Sequence, residues 1–257
     1  MSDETLVVAF AGLVGAIIGS FLNVCILRLP SNQSVVRPPS RCPKCGQGVR
    51  WYDNIPVLSW LLLRGRCRHC QNPISIQYPL IELATALIWA ACAYHYGYEL
   101  DAIRAAVFFT LLLGIAMTDA REYIIPDEFS LGGLVLGLGL SLIHGLPGLY
   151  PALLGAAVGF VTLWIIAELG KRAFKKEAMG GGDIKMMAMV GAFIGWQGVF
   201  LTIFLGSVVG TLIFGPMALI GRKKEVPFGI FLALGAVVTF LWGGWLLDWY
   251  RHYLSGT

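Results

Sequence analysis

Long apolar runs recur along almost the whole chain, separated by short polar or Gly- and Pro-rich breaks. A membrane-crossing helix needs about 20 mainly apolar residues, within a range of about 17–25. The pattern predicts eight such helices, over residues 6–29, 78–96, 102–118, 129–143, 150–169, 184–196, 198–220 and 227–247. The first run reads as a retained span rather than a cleaved signal. It lacks a basic leading segment, is long for a signal, and no small-residue cleavage site follows it. The run over 184–196 is short for a crossing. The longest gap is 30–77, between the first run and the second. The expected fold is therefore an all-α polytopic membrane protein, with a first transmembrane helix at 1–29, an inserted domain at 30–77 and a seven-helix membrane domain at 78–257.

Composition strengthens this reading. Of 257 residues, 57% are apolar and 13% charged, with a mean hydropathy of +0.72. A soluble domain carries about 25% charged residues, so a soluble enzyme, a disordered chain and a coiled coil are excluded. The 32 glycines suit close helix–helix approach in lipid. The placement of the cations fixes an orientation, because cytoplasmic loops carry the Lys/Arg excess. With eight spans and both termini outside, 17 of the 19 cations fall inside, and only Arg104 and Arg251 fall outside. Seven spans would place Arg222, Lys223 and Lys224 outside.

The inserted segment holds four of the six cysteines, as Cys42-x-x-Cys45 and Cys67-x-x-Cys70, with 21 residues between the pairs. Two short turns that each present two thiolates match a closed, structural zinc site with four cysteine ligands. Disulfides, a redox dithiol and free thiols are the alternatives, and a reducing cytoplasm disfavours disulfides. Four ligands fill the zinc, and the metal helps to fold a segment with little core of its own. His69 reads as a solvated loop residue. Cys25 and Cys92, inside apolar runs, read as packed thiols.

Acids at membrane helices are functional candidates because burying them is costly. Asp119 ends the third run, Asp127 opens the fourth after Pro126, and Asp183 opens the sixth after Gly180-Gly181-Gly182. The cation topology places all three at the cytoplasmic side. Two carboxylates at such a boundary can share a proton, so that one activates a water while the other polarises a carbonyl. The glycines before Asp183 would let a substrate backbone approach. Asp127 and Asp183 could instead cap their helices. Asp119 has no such alternative, since an acid at a helix C-terminus opposes the macrodipole.

Four blocks together resemble the type IV prepilin peptidases, bifunctional leader peptidases and N-methyltransferases of pilus and type II secretion systems. They are Gly19-Ser20-Phe21-Leu22-Asn23-Val24 with Arg28-Leu29-Pro30; the cysteine pairs, bracketing Asn54-Ile55-Pro56-Val57-Leu58-Ser59 and followed by Tyr78-Pro79-Leu80-Ile81-Glu82; Asp119 with Pro126-Asp127; and Gly180-Gly181-Gly182-Asp183-Ile184-Lys185. The resemblance implies that Asp119 and Asp183 are the catalytic pair, with Asp127, Gly180 and Gly182 in support. It implies that Cys42, Cys45, Cys67 and Cys70 bind zinc in a cytoplasmic domain. The substrate would be a prepilin or pseudopilin in the lipid bilayer of the bacterial inner membrane, cleaved after a leader-terminal Gly on the cytoplasmic side. The new amine would be methylated from S-adenosylmethionine, a function with which Gly65 is associated. No Gly-x-Gly-x-x-Gly stretch after a strand is present, so no Rossmann-type methyltransferase is expected, and no nucleic-acid partner is expected. The rival readings are an intramembrane aspartyl protease without methyl transfer and a zinc-regulated transporter. A transporter would keep its acids near the midplane rather than at span ends.

Overall fold

The computed structural model describes residues 3–176, 179–219 and 227–255. The helices are α1 (Asp3–Arg28), α2 (Leu58–Leu62), α3 (Gln77–Tyr96), α4 (Leu100–Glu122), α5 (Asp127–Ser141), α6 (Gly145–Phe174), α7 (Gly181–Leu219) and α8 (Phe228–Ser255). Among the described residues there is no strand, only two isolated bridges. Five stretches there are long and apolar enough to cross a membrane: Asp3–Ser31, Leu100–Glu122, Asp127–Ala173, Gly181–Pro216 and Phe228–Tyr253. The chain is thus a multi-pass, all-helical membrane protein. The Arg222-Lys223-Lys224 cluster lies outside the described residues.

Eight predicted runs become seven long helices, because the sixth and seventh runs lie together in α7. The helix path is interrupted at Gly195, whose φ of 72° and ψ of 175° are not helical. A positive φ costs glycine nothing, and the break falls two residues before Gln197, where the sixth and seventh runs divide. The second run, α3, is not among the five apolar stretches; it buries Glu82 and Thr85 instead of a purely apolar face.

The chain divides into two compact units, residues 1–110 and 111–257, with the division inside α4. In the first unit α1 and α3 run antiparallel. Successive positions of α1 meet receding positions of α3: Gly12 faces Ala90, Gly15 faces Thr85 and Trp89, and Gly19 faces Glu82. A Cβ on Gly15 would stand 2.7 Å from the Thr85 carbonyl, and one on Gly19 would stand 2.8 Å from the Glu82 Cα. Glycine at these positions lets the two backbones touch, which is how helices associate where lipid removes the hydrophobic drive. On another stripe of α1, Phe10, Leu13 and Ile17 are exposed, as suits a face solvated by acyl chains.

In the second unit the first arm of α7 is the core. Met186, Met187, Met189 and Val190 are wholly buried, and a helix apolar all round belongs at the centre of a bundle. α6 meets it at Gly155 against Gly191 and Gly159 against Met187, an antiparallel pairing. α5 meets it at Gly133 against Met189 and Gly137 against Phe193, a parallel one. α8 packs on the second arm of α7, where Gly235 meets Thr202 and Gly206, and the Thr202 and Thr239 hydroxyls bond at 3.2 Å. A Cβ on Gly155 would run into the Gly191 backbone. Gly155→Leu is therefore expected to destabilise the protein by about 1–3 kcal/mol, seen as a lower thermal midpoint in detergent. Gly139→Ala, which points into open space, should leave the midpoint unchanged.

Candidate active site and metal centre

Asp119 lies one turn before the end of α4, where the macrodipole disfavours it. The structure supplies what the helix does not. α8 begins at Phe228, so its first amides lack partners within the helix. The Ile230 N–H donates to Asp119 Oδ2 at 3.1 Å, and the Gly229 N–H also reaches this carboxylate. A helix N-terminus is a ready site for a negative charge. Asp119 thereby sits 5% exposed with its charge held by a second helix.

Asp183 is in the first turn of α7 and is 9% exposed. The Gly180 backbone N–H reaches its carboxylate, and its own N–H donates to the Gly180 carbonyl at 3.2 Å. Its Oδ1 is buried and has no hydrogen-bond partner among the described residues. The two carboxylates are near enough for the charge of Asp119 to act on Asp183. Ile125, in the turn between α4 and α5, packs against the glycine beside each acid, Gly182 and Gly229. A Cβ on Gly182 would approach the Ile125 Cβ to 2.9 Å, and one on Gly229 would approach the Ile125 Cδ1 to 2.8 Å and Asp119 Oδ2 to 2.9 Å.

Asp127 is the first residue of α5, and Pro126 occupies the N-cap position before it. Its carboxylate accepts from Lys185 Nζ at 2.7 and 2.8 Å. The pair ties the start of α5 to the start of α7 beside Asp183, and both side chains are partly exposed. Reading the sequence alone missed Lys185, Ile125, Gly229 and Ile230.

The four cysteines come together. Their Sγ atoms all lie within 4.8 Å of one another, so one metal ion can be reached by all four. Two similar turns present them. Cys42 N–H bonds the Gln47 carbonyl and Cys67 N–H the Asn72 carbonyl, both at 2.9 Å. The fifth residue of each turn, Gly46 or Gln71, has a positive φ of 70° or 58°, and bridges at Arg41–Gly48 and Arg66–Pro73 close them. The two Arg-Cys-x-x-Cys stretches of the sequence thus fold as two copies of one turn. Backbone donors from Cys45 and Lys44 lower the Cys42 thiol to about 6. Such a thiol is readily deprotonated, as a metal ligand must be. His69 is exposed and outside the quartet, while Cys25 and Cys92 are buried in helices.

Around the quartet, Arg68 binds Asp53 through two nitrogens at 2.6–3.0 Å and holds that carboxyl below the usual carboxylate range. The Arg50 and Arg68 guanidinium groups also lie against the Tyr52 ring. Gly65 occupies a tight turn at φ 65°, where a Cβ would press on the Trp60 indole at 2.8 Å. Its geometry requires glycine for backbone and packing reasons.

Residues 13–96 match the bacterial peptidase A24 N-terminal domain and residues 106–215 the type IV leader peptidase family. The first range contains the four cysteines; the second contains Asp119, Asp127 and Asp183. A prepilin leader peptidase/N-methyltransferase of Myxococcus xanthus is 41% identical over 85% of this chain and 65% of its own length. Proteins of the same name from Xanthomonas campestris and Stutzerimonas stutzeri are 38% and 39% identical, over 95% and 94% of this chain and 94% and 93% of their own lengths. No solved structure matches the chain. With both ranges matched in order and identity sustained over nearly the whole length of two of these relatives, the chain belongs to the type IV leader peptidase family.

Proposed function

We propose that the protein is a membrane-embedded aspartic endopeptidase that removes the leader from type IV prepilins or pseudopilins and then N-methylates the new terminal amine from S-adenosylmethionine. It would sit in the bacterial inner membrane with eight crossings, both termini outside and its active site at the cytoplasmic face. Residues 1–29 would form the first crossing, 30–77 a cytoplasmic zinc domain, and 78–257 the peptidase domain. The observation that carries the peptidase reading is the meeting of Asp119 and Asp183 from separate helices, both buried, with one Asp183 oxygen unpartnered among the described residues.

Two adjacent carboxylates share one proton, and this divides the work between them. One takes a proton from a water as that water attacks the scissile carbonyl. The other donates a hydrogen bond to the carbonyl oxygen as it becomes negative. The tetrahedral intermediate then collapses, and the amine leaves with a proton returned from the pair. The α8 amides fix Asp119 so that it needs no reorganisation during the step, and the unpartnered Asp183 oxygen is where the water or carbonyl would bind. Gly180 would leave room for a substrate strand beside Asp183, and Gly182 would support the site by letting α7 pack closely on Ile125.

Asp119→Asn and Asp183→Asn should each lower prepilin cleavage by at least about 100-fold, read by the mobility shift of a purified prepilin, with helix content unchanged by circular dichroism. Full cleavage by either variant would contradict the pair. Asp127→Asn should cost far less, about fivefold at most, since an exposed ion pair is worth roughly 0–1 kcal/mol. A 100-fold loss in this variant would move Asp127 into the chemistry.

Zinc is the proposed metal. A tetrahedron with Zn–S bonds of about 2.3 Å has sulfur–sulfur edges of about 3.8 Å, and Cys42 Sγ lies 3.7 Å from Cys70 Sγ. Cys42, Cys45, Cys67 and Cys70 would hold the ion, whose four protein ligands leave no open position. Elemental analysis of the purified protein should give about one zinc per chain, lost in a Cys42→Ser/Cys67→Ser variant. Equal zinc in that variant would contradict the site.

A further inference from the structure

A strained turn, a buried acid and a cleft meet beside the C-terminal half of α1, within the first unit. Val57 has φ 60° and ψ −51°, and the Leu58 N–H bonds the Pro56 carbonyl at 2.6 Å across it. This is a γ-turn of the rare, strained kind, and a β-branched residue in it is an outlier. Strain of this sort persists only where surrounding groups enforce it, and it gathers at ligand sites. Here the enforcing group is Glu82 of α3, which is 8% exposed. Its Oε2 accepts the Val57 N–H at 2.7 Å, and the Ser20 hydroxyl of α1 also hydrogen-bonds the carboxylate. The close packing of Gly19 on Glu82 makes both contacts reachable.

Ser20 and the turn residues Asn54 and Pro56 face the same space, a cleft of about 370 Å³. Small-molecule sites occupy about 300–1,000 Å³ and combine an apolar lining with a few placed polar groups. The lining of this cleft combines the apolar Phe21, Val36 and Pro38 with the cationic Arg28. Arg28 spends one of its five donors on the Ser34 carbonyl at 2.9 Å. None of these residues belongs to the Asp119–Asp183 site.

We propose that this cleft binds S-adenosylmethionine; the inference rests on the methyl-transfer half of the function proposed above. The apolar wall takes the adenine ring. Arg28 pairs with the carboxylate of the amino-acid end, which a guanidinium recognises in two-point fashion. Ser20 lines the cleft; its hydroxyl hydrogen is given to Glu82 behind it, so its oxygen lone pairs are left for the positive sulfonium. Glu82 is a positioning residue, acting through Ser20 and the Val57 turn.

Equilibrium dialysis of the full-length protein in detergent with radiolabelled S-adenosylmethionine, competed by S-adenosylhomocysteine, tests this directly. The wild type should bind saturably. Val36→Trp, which fills the cleft from an exposed position, and Glu82→Gln should each weaken binding about tenfold or more. Metal content and elution volume of each variant report whether it has folded. Wild-type affinity in a folded Val36→Trp protein overturns the placement while leaving the methyltransferase reading in place. Absence of binding by the wild type overturns both.

Discussion

A carboxylate inside a membrane protein persists only if something there meets its charge. For Asp119 that partner is the start of α8, whose first amides point at it. The contact joins residues 111 positions apart in sequence. It needs Gly229, because any side chain there would press on the carboxylate and on Ile125. The arrangement of the second unit follows from satisfying this contact while presenting Asp183 beside it. The first arm of α7, apolar beyond Lys185, carries Asp183 at its head and is clasped by α5 and α6 through glycines. The break at Gly195 then lets the second arm leave in its own direction to pack on α8.

The first unit solves a different problem, that of ordering a segment with little core. Residues between α1 and α3 bury few apolar side chains, and exposed ones such as Val36 and Trp51 are common. Order comes instead from local hydrogen bonds: two turns of one design around the cysteines, the Arg68–Asp53 fork, and the Glu82 anchor on the Val57 turn. A metal held by four thiols would supply what apolar burial does not, which is the usual solution in small cysteine-rich segments.

Much of this was legible in the sequence. The apolar runs marked the long helices, and the cysteine spacing marked the thiols that do converge on one point. Asp119 stood out because its own helix could not justify it, and the partner that does lies in a distant helix that no local pattern reveals. Other features were hidden for physical reasons. The break between the sixth and seventh runs was visible at Gln197, but its form was not: the backbone departs from the helix at Gly195 while both arms remain one element. The glycine contacts, Gly155 on Gly191 or Gly19 on Glu82, depend on which faces meet, and periodicity does not specify that for helices apolar on all sides. Asp127 looked like a cap, yet its carboxylate turns to Lys185, a tertiary choice. Val57 gave no sign of its γ-turn, since a β-branched residue is normally a poor occupant of it.

Peptide cleavage by this route requires Asp119 and Asp183 to act on one atom. The decisive observation is an experimental structure with a prepilin-derived peptide whose scissile amide is replaced by a hydroxyl-bearing isostere. That hydroxyl should lie within hydrogen-bond reach, about 2.6–3.2 Å, of both Asp119 and Asp183. A peptide bound with its hydroxyl against only one of them, or away from both, would show that the two carboxylates do not work as a pair.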